Sequence, residues 1–139
     1  MPVVDASVAV DWVAPDSDPQ GPARQLLDRL SAQDARLQGP TLLLLEVANA
    51  LLSGVRRRRW DGEAADASFV LLRRMPILLA DEAGDLDRAY ELSRRFDEHP
   101  IYDMLYVAVA ERRGETLYTA DARLAARLQA FAPVVLVGA

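Results

Sequence analysis

Short apolar runs alternate with longer helix-patterned segments along this chain, and that alternation limits the possible folds more than any other feature. The runs VV at 3–4, LQ at 37–38, ILL at 77–79, TLYT at 116–119 and VVLV at 134–137 read as strands. Between them lie helices. Residues 23–32 place Leu26, Leu27 and Leu30 at helical spacing. Thr41 stands as an N-cap for a helix that ends in the arginines at 56–59. Asp61 caps a segment that runs to Arg74 and breaks at Met75-Pro76, and residues 85–96 are helical in pattern. Pro100 starts IYDMLYVAVAERR, which stops at Gly114, and Asp121 opens the last helix. DSDPQGP at 16–22 is a loop by composition. Strands separated by helices of a dozen residues form a parallel sheet covered on both faces. The expectation is a three-layer α/β/α architecture with a central, mostly parallel sheet of four or five strands. At 139 residues, with 51% of them apolar, the chain suits one domain over residues 1–139.

Composition removes whole classes of chemistry. There is no cysteine, so disulfides, thiolate–zinc sites and cysteine nucleophiles are excluded. All 16 basic residues are arginine, which leaves no lysine for a phosphate loop, a Schiff base or an aspartyl-phosphate site. The single histidine, His99, gives little scope for a serine–histidine triad or a histidine-rich metal centre and reads as a loop residue without a catalytic role. The net charge of −5 argues against binding nucleic acid through bulk positive charge. The chain opens directly with MPVVDASV, and no apolar run approaches the ~20 residues of a membrane span, so a cytoplasmic protein with no membrane contact is expected.

Acids remain as the chemically capable groups, and four of them sit in unusual places. Glu46 interrupts LLLLEVANALL, a helix apolar on nearly every face, and Asp103 lies in a second such helix in its first turn after Pro100, so both helices are expected to be buried all round. Asp5 ends the first strand and Asp121 lies just beyond TLYT. Ligands of parallel sheets bind beyond the carboxyl ends of strands, so Asp5 and Asp121 are candidates for neighbours. Clustered carboxylates repel one another, and a hard divalent cation, Mg²⁺ or Mn²⁺, relieves that repulsion through oxygen ligands. Such a site suits phosphodiester hydrolysis. Each acid also has a plain reading. Asp5 could be an ordinary turn residue, Asp121 an N-cap, Asp103 a helix-dipole acid and Glu46 a buried structural ion-pair partner, with an arginine as a candidate.

The segments VVDASVAVDW, LLLLEVANALL, IYDMLYVAVAERRG and LYTADARL, in that order, resemble the PIN-domain ribonucleases, and most of all the VapC-type toxins of bacterial toxin–antitoxin modules. The resemblance implies a Rossmann-like PIN fold and a Mg²⁺- or Mn²⁺-dependent endoribonuclease. It places the catalytic and metal-binding acids on Asp5, Glu46, Asp103 and Asp121, with Thr119, Ser7 and Asn49 in support. It implies an RNA substrate, a homodimer and a cognate VapB-type antitoxin. Two other functions remain open here: a non-catalytic PIN-like interaction module, and an aspartyl-phosphate phosphotransfer domain, against which the missing lysine counts.

Two further features carry weaker signals. Arg56, Arg57, Arg58 and Arg59 precede Trp60, and could contact RNA phosphates while Trp60 stacks on a base. They equally fit a solvated helix end, where arginines complement the dipole. Asp11 reads as a surface turn acid.

Overall fold

The computed structural model describes residues 1–97 and 99–138. Strands and helices follow in the order β1 (Val3–Val4), α1 (Ala6–Val13), α2 (Pro22–Ala32), β2 (Leu37–Gly39), α3 (Leu42–Arg56), α4 (Gly62–Arg74), β3 (Ile77–Leu79), α5 (Ala83–Arg95), α6 (Ile101–Arg113), β4 (Leu117–Thr119), α7 (Ala122–Leu128) and β5 (Val134–Leu136). The sheet has five strands in the order β3-β2-β1-β4-β5, and every pairing is parallel. Val3 and Val4 pair with Leu117 and Tyr118, so β1 and β4 are neighbours although most of the chain separates them. The helices between β1 and β3 pack against one another, while α5 and α6 form a tight pair. Phe96, at the end of α5, meets Phe131, beyond α7, edge to face at 5.5 Å. Helices therefore cover both faces, the arrangement that parallel crossovers require.

Local chemistry explains where the elements start and stop. Asp5 caps α1 by accepting from the Val8 N–H, and Asp61 caps α4 by accepting from the Ala64 N–H. Glu82 and Asp85 form a reciprocal capping box at α5. Gly114 closes α6 at φ 64°, the left-handed conformation that a residue without Cβ adopts readily. Gly54 is needed for a different reason. The Trp60 ring folds back over it, so close that a Cβ there would overlap the indole.

Two expectations need correction. Thr41 is the N-cap residue of α3, as expected, but its side chain makes no capping hydrogen bond to that helix. Its hydroxyl donates to Asp81 instead, and its N–H donates to the same carboxylate at 3.1 Å. An acid following β3 thus supplies the cap from across the sheet edge. Asp11 is not in a turn: α1 begins directly after Asp5 and carries Asp11 on its exposed side. The short apolar stretch ASVAVDWV was too brief to stand out as a helix beside the strand it follows.

Candidate functional site

Strand order reverses at β1, with β2 on one side and β4 on the other. The crevice beyond the carboxyl ends of β1 and β4 is therefore the switch point of the sheet, where open α/β folds hold their ligands. Asp5 stands directly after β1, and its N–H donates to the Tyr118 carbonyl at 3.2 Å. Asp121 stands two residues beyond β4 and caps α7, accepting from the N–H groups of Arg123 and Leu124. Asp103 joins them from the first turn of α6. Three helix N-termini thus converge on one crevice, each with an acid where the dipole favours negative charge.

These groups also act on one another electrostatically. The Asp103 carboxyl is pushed up from 3.8 to about 6, first by burial and then by the negative charges of Asp121, Asp5 and Glu46, with His99 opposing. Asp5 is only 7% exposed, and burial raises its pKa while hydroxyls of Ser7 and Thr119 and backbone N–H groups hold it back. Glu46 reaches the cluster from α3 and accepts a hydrogen bond of 2.7 Å from the Tyr106 hydroxyl. Burial and the neighbouring acids drive the Tyr106 phenol far above its ordinary value, so it remains a donor to Glu46. Donor atoms of His99, Asp103 and Asp121 all lie within 4.8 Å of one another.

The profile of the PIN domain matches residues 3–128. This chain belongs to the PIN-domain family. It is 33% identical over 137 residues to Ribonuclease VapC9 of Mycobacterium tuberculosis, with 99% of this chain and 98% of that protein covered. A VapC ribonuclease of Mycobacterium bovis matches at the same identity and coverage. Among solved structures, VapC20 of Mycobacterium tuberculosis superposes with a TM-score of 0.67 at 22% identity, over 91% of this chain and 95% of that one, which bears on the fold alone.

The PIN domain surrounds its acids with polar groups that fix their orientation. Ser7 donates to Asp5, accepts from the Ala120 N–H at 2.8 Å, and stands 3.4 Å from the Thr119 hydroxyl. Thr119 is fully buried and accepts from the Asp121 N–H at 3.0 Å. One hydroxyl pair therefore links the ends of β1 and β4. Asn49 is exposed and lines, with Leu42, Leu45, Glu46 and Tyr102, an open cavity of about 380 Å³ beside the acids.

Sequence reasoning misjudged several side chains. The α3 helix is not buried all round: Leu45 is 68% exposed and Leu52 55%, while Leu43, Val47 and Leu51 face the core. Glu46 is accordingly half-buried, and its partner is Tyr106 rather than an arginine. Tyr106 was overlooked because aromatic residues in an apolar helix look like core. His99, read as an uninvolved loop residue, is buried beside Asp103, with Nδ1 3.7 Å from Oδ2. The arginines follow the C-terminal end of the helix that bears Glu46, about 15 Å along its axis at ~1.5 Å per residue. Arg59 pairs with Asp16 at 2.8 Å and lies over the Trp60 ring. Trp60 packs on α3 and donates to the Leu51 carbonyl at 2.9 Å, which takes the ring away from a base-stacking role.

The donor set fits a divalent cation. Among the described residues no arginine pairs with Asp5, Glu46 or Asp103. The charge that raises the Asp103 pKa is therefore left for a cation to neutralise, and carboxylate oxygens suit Mg²⁺ or Mn²⁺.

Proposed function

We propose that this PIN domain is a Mg²⁺- or Mn²⁺-dependent endoribonuclease, the toxin of a type II toxin–antitoxin pair, which hydrolyses phosphodiester bonds in RNA. The observation that carries the reading is the meeting of Asp5, Asp103 and Asp121 at three helix N-termini beside β1 and β4, where the negative charges of Asp121, Asp5 and Glu46 raise the Asp103 carboxyl. Relatives 33% identical over nearly the whole length are ribonucleases by name, which supports RNA as substrate.

In this reading Asp5, Glu46, Asp103 and Asp121 hold the cation. When bound, the cation would supply Lewis-acid charge to a non-bridging oxygen of the phosphate whose phosphorus is attacked by water. Ser7 keeps Asp5 oriented through its hydroxyl, and Thr119 holds the turn that leads to Asp121. Tyr106 fixes the Glu46 carboxylate by donating to Oε1. The helix N-termini behind Asp5, Asp103 and Asp121 moderate the repulsion among the anions. The RNA strand lies across the open cavity beside Glu46, with Asn49 and the exposed Tyr102 in reach, and Arg56, Arg57 and Arg58 contact phosphates farther out.

The same reading includes a VapB-type antitoxin and a homodimer. Apolar surface is available for such partners: Leu51, Leu52, Ala65 and Phe69 line a cavity of about 280 Å³ between α3 and α4. No described helix is long and apolar enough to cross a membrane, and the cytoplasm is the proposed location. The test is cleavage of total cellular RNA by purified protein with Mg²⁺ or Mn²⁺, followed by mapping of new 5′ ends. Cleavage should stop with chelator and in Asp5→Asn, and cleavage that survives both would refute the reading.

A further inference from the structure

We infer that His99 is a nitrogen ligand of the same cation, which makes this a mixed oxygen–nitrogen site selective for Mn²⁺ over Mg²⁺. The inference deepens the metal-site reading above and rests on it.

His99 is the chain's single histidine, and it is 7% exposed. Its Nε2 is buried without a hydrogen-bond partner. Its Nδ1 faces Asp103 Oδ2 at 3.7 Å, too long for a hydrogen bond. Nε2 is the unsatisfied nitrogen, and Nδ1, turned toward Asp103, is the one that would present a lone pair to an ion. Donors on one octahedral ion with bonds of about 2.1 Å stand between about 3 and 4.2 Å apart, and the observed separation falls in that interval. Asp121 brings the third donor within 4.8 Å.

The backbone holds the ring in place. Pro100 restricts His99 to extended conformations, and the His99 N–H is tied to the Phe96 carbonyl at 3.1 Å. Pro100 is also the N-cap residue of α6, so His99 and Asp103 ride on one rigid helix start. A ring held this firmly beside two carboxylates can present a lone pair to an ion without rearrangement. Imidazole nitrogen favours transition ions, whereas Mg²⁺ prefers oxygen and retained water.

Pulsed electron paramagnetic resonance of Mn²⁺ bound to the tag-free full chain tests this directly. Because there is one histidine, imidazole ¹⁴N modulation has one source. We expect that modulation in the wild type and its loss in His99→Gln. Mn²⁺ affinity should fall about tenfold in His99→Gln while Mg²⁺ affinity changes about twofold or less. Mn²⁺ bound without ¹⁴N modulation would overturn the inference and leave the oxygen-ligand site standing. Failure of Mn²⁺ to bind at all would overturn both. The wild-type spectrum decides the matter even if His99→Gln folds poorly.

Discussion

Helices α3 and α6 each carry one acid through a run of apolar residues, and the fold uses the two runs in opposite ways. In α6, Met104, Tyr106, Val107, Ala108, Val109 and Ala110 are all buried, because the helix lies across the centre of the sheet. In α3, one apolar side faces the core and the other, with Leu45 and Leu52, faces outward. Asp103, half-buried at the start of the enclosed helix, is raised by burial and by its anionic neighbours, while Glu46, half-buried on the half-open helix, leans on Tyr106. Apolar composition shows that a helix has surface to cover. It does not say whether the covering comes from the same chain.

The contrast can be broken most severely at the acids. Asp103→Asn should reduce RNA cleavage by about three orders of magnitude, equivalent to about 4 kcal/mol of transition-state stabilisation. Metal-free Asp103→Asn should nonetheless be at least as stable as the wild type at pH 7.5, since it removes a repelled charge. Cleavage assays and thermal melts on one preparation check both halves.

Core truncation comes next. Met104→Ala in α6 should destabilise by about 2–5 kcal/mol, whereas Leu45→Ala in α3 should change stability by about 0.5 kcal/mol or less. Equal losses in urea titrations would show that α3 is as enclosed as α6.

The pH dependence follows from the raised Asp103 carboxyl, which binds its proton more tightly in the folded protein than in the unfolded chain. In metal-free protein this contribution is full below about pH 4 and is lost as pH rises through 6. Its size is about 3 kcal/mol at most, less what partial exposure screens away. Melting temperature should fall between pH 5 and 7, and Asp103→Asn should flatten that slope. Added Mn²⁺ should stabilise more at pH 7.5 than at pH 5 by mass action on the ionised site.

A more modest effect than at the acids is expected at the contact between the two helices. Tyr106→Phe removes the donor to Glu46 and should cost about 1 kcal/mol, with cleavage falling about tenfold. No change in either quantity would mean that Glu46 needs no orienting partner.

Much of this molecule was legible in its residues for local reasons. Caps at Asp61 and Asp121, the break at Met75-Pro76 and the stop at Gly114 act within one turn of chain, so the sequence states them outright. The four acids were visible because charge inside apolar runs is costly enough to need a reason. Tyr106, His99 and Asp81 were not visible in their roles. Tyr106 acts on Glu46 and Asp81 on Thr41, residues brought near by packing across the fold, while His99 lies four residues before Asp103 but owes its burial to the elements around that turn.

By itself, the order of residues determined the alternation of strands and helices, the shortage of nucleophiles and the presence of acids as the chemical resource. Only the tertiary structure decided that β1 and β4 are neighbours, that α6 is enclosed while α3 is half-open, and that Tyr106 meets Glu46. The reason is range. Hydrogen-bonded turns and caps are settled among adjacent residues, but strand order and the field at a carboxylate depend on every element that packs around them.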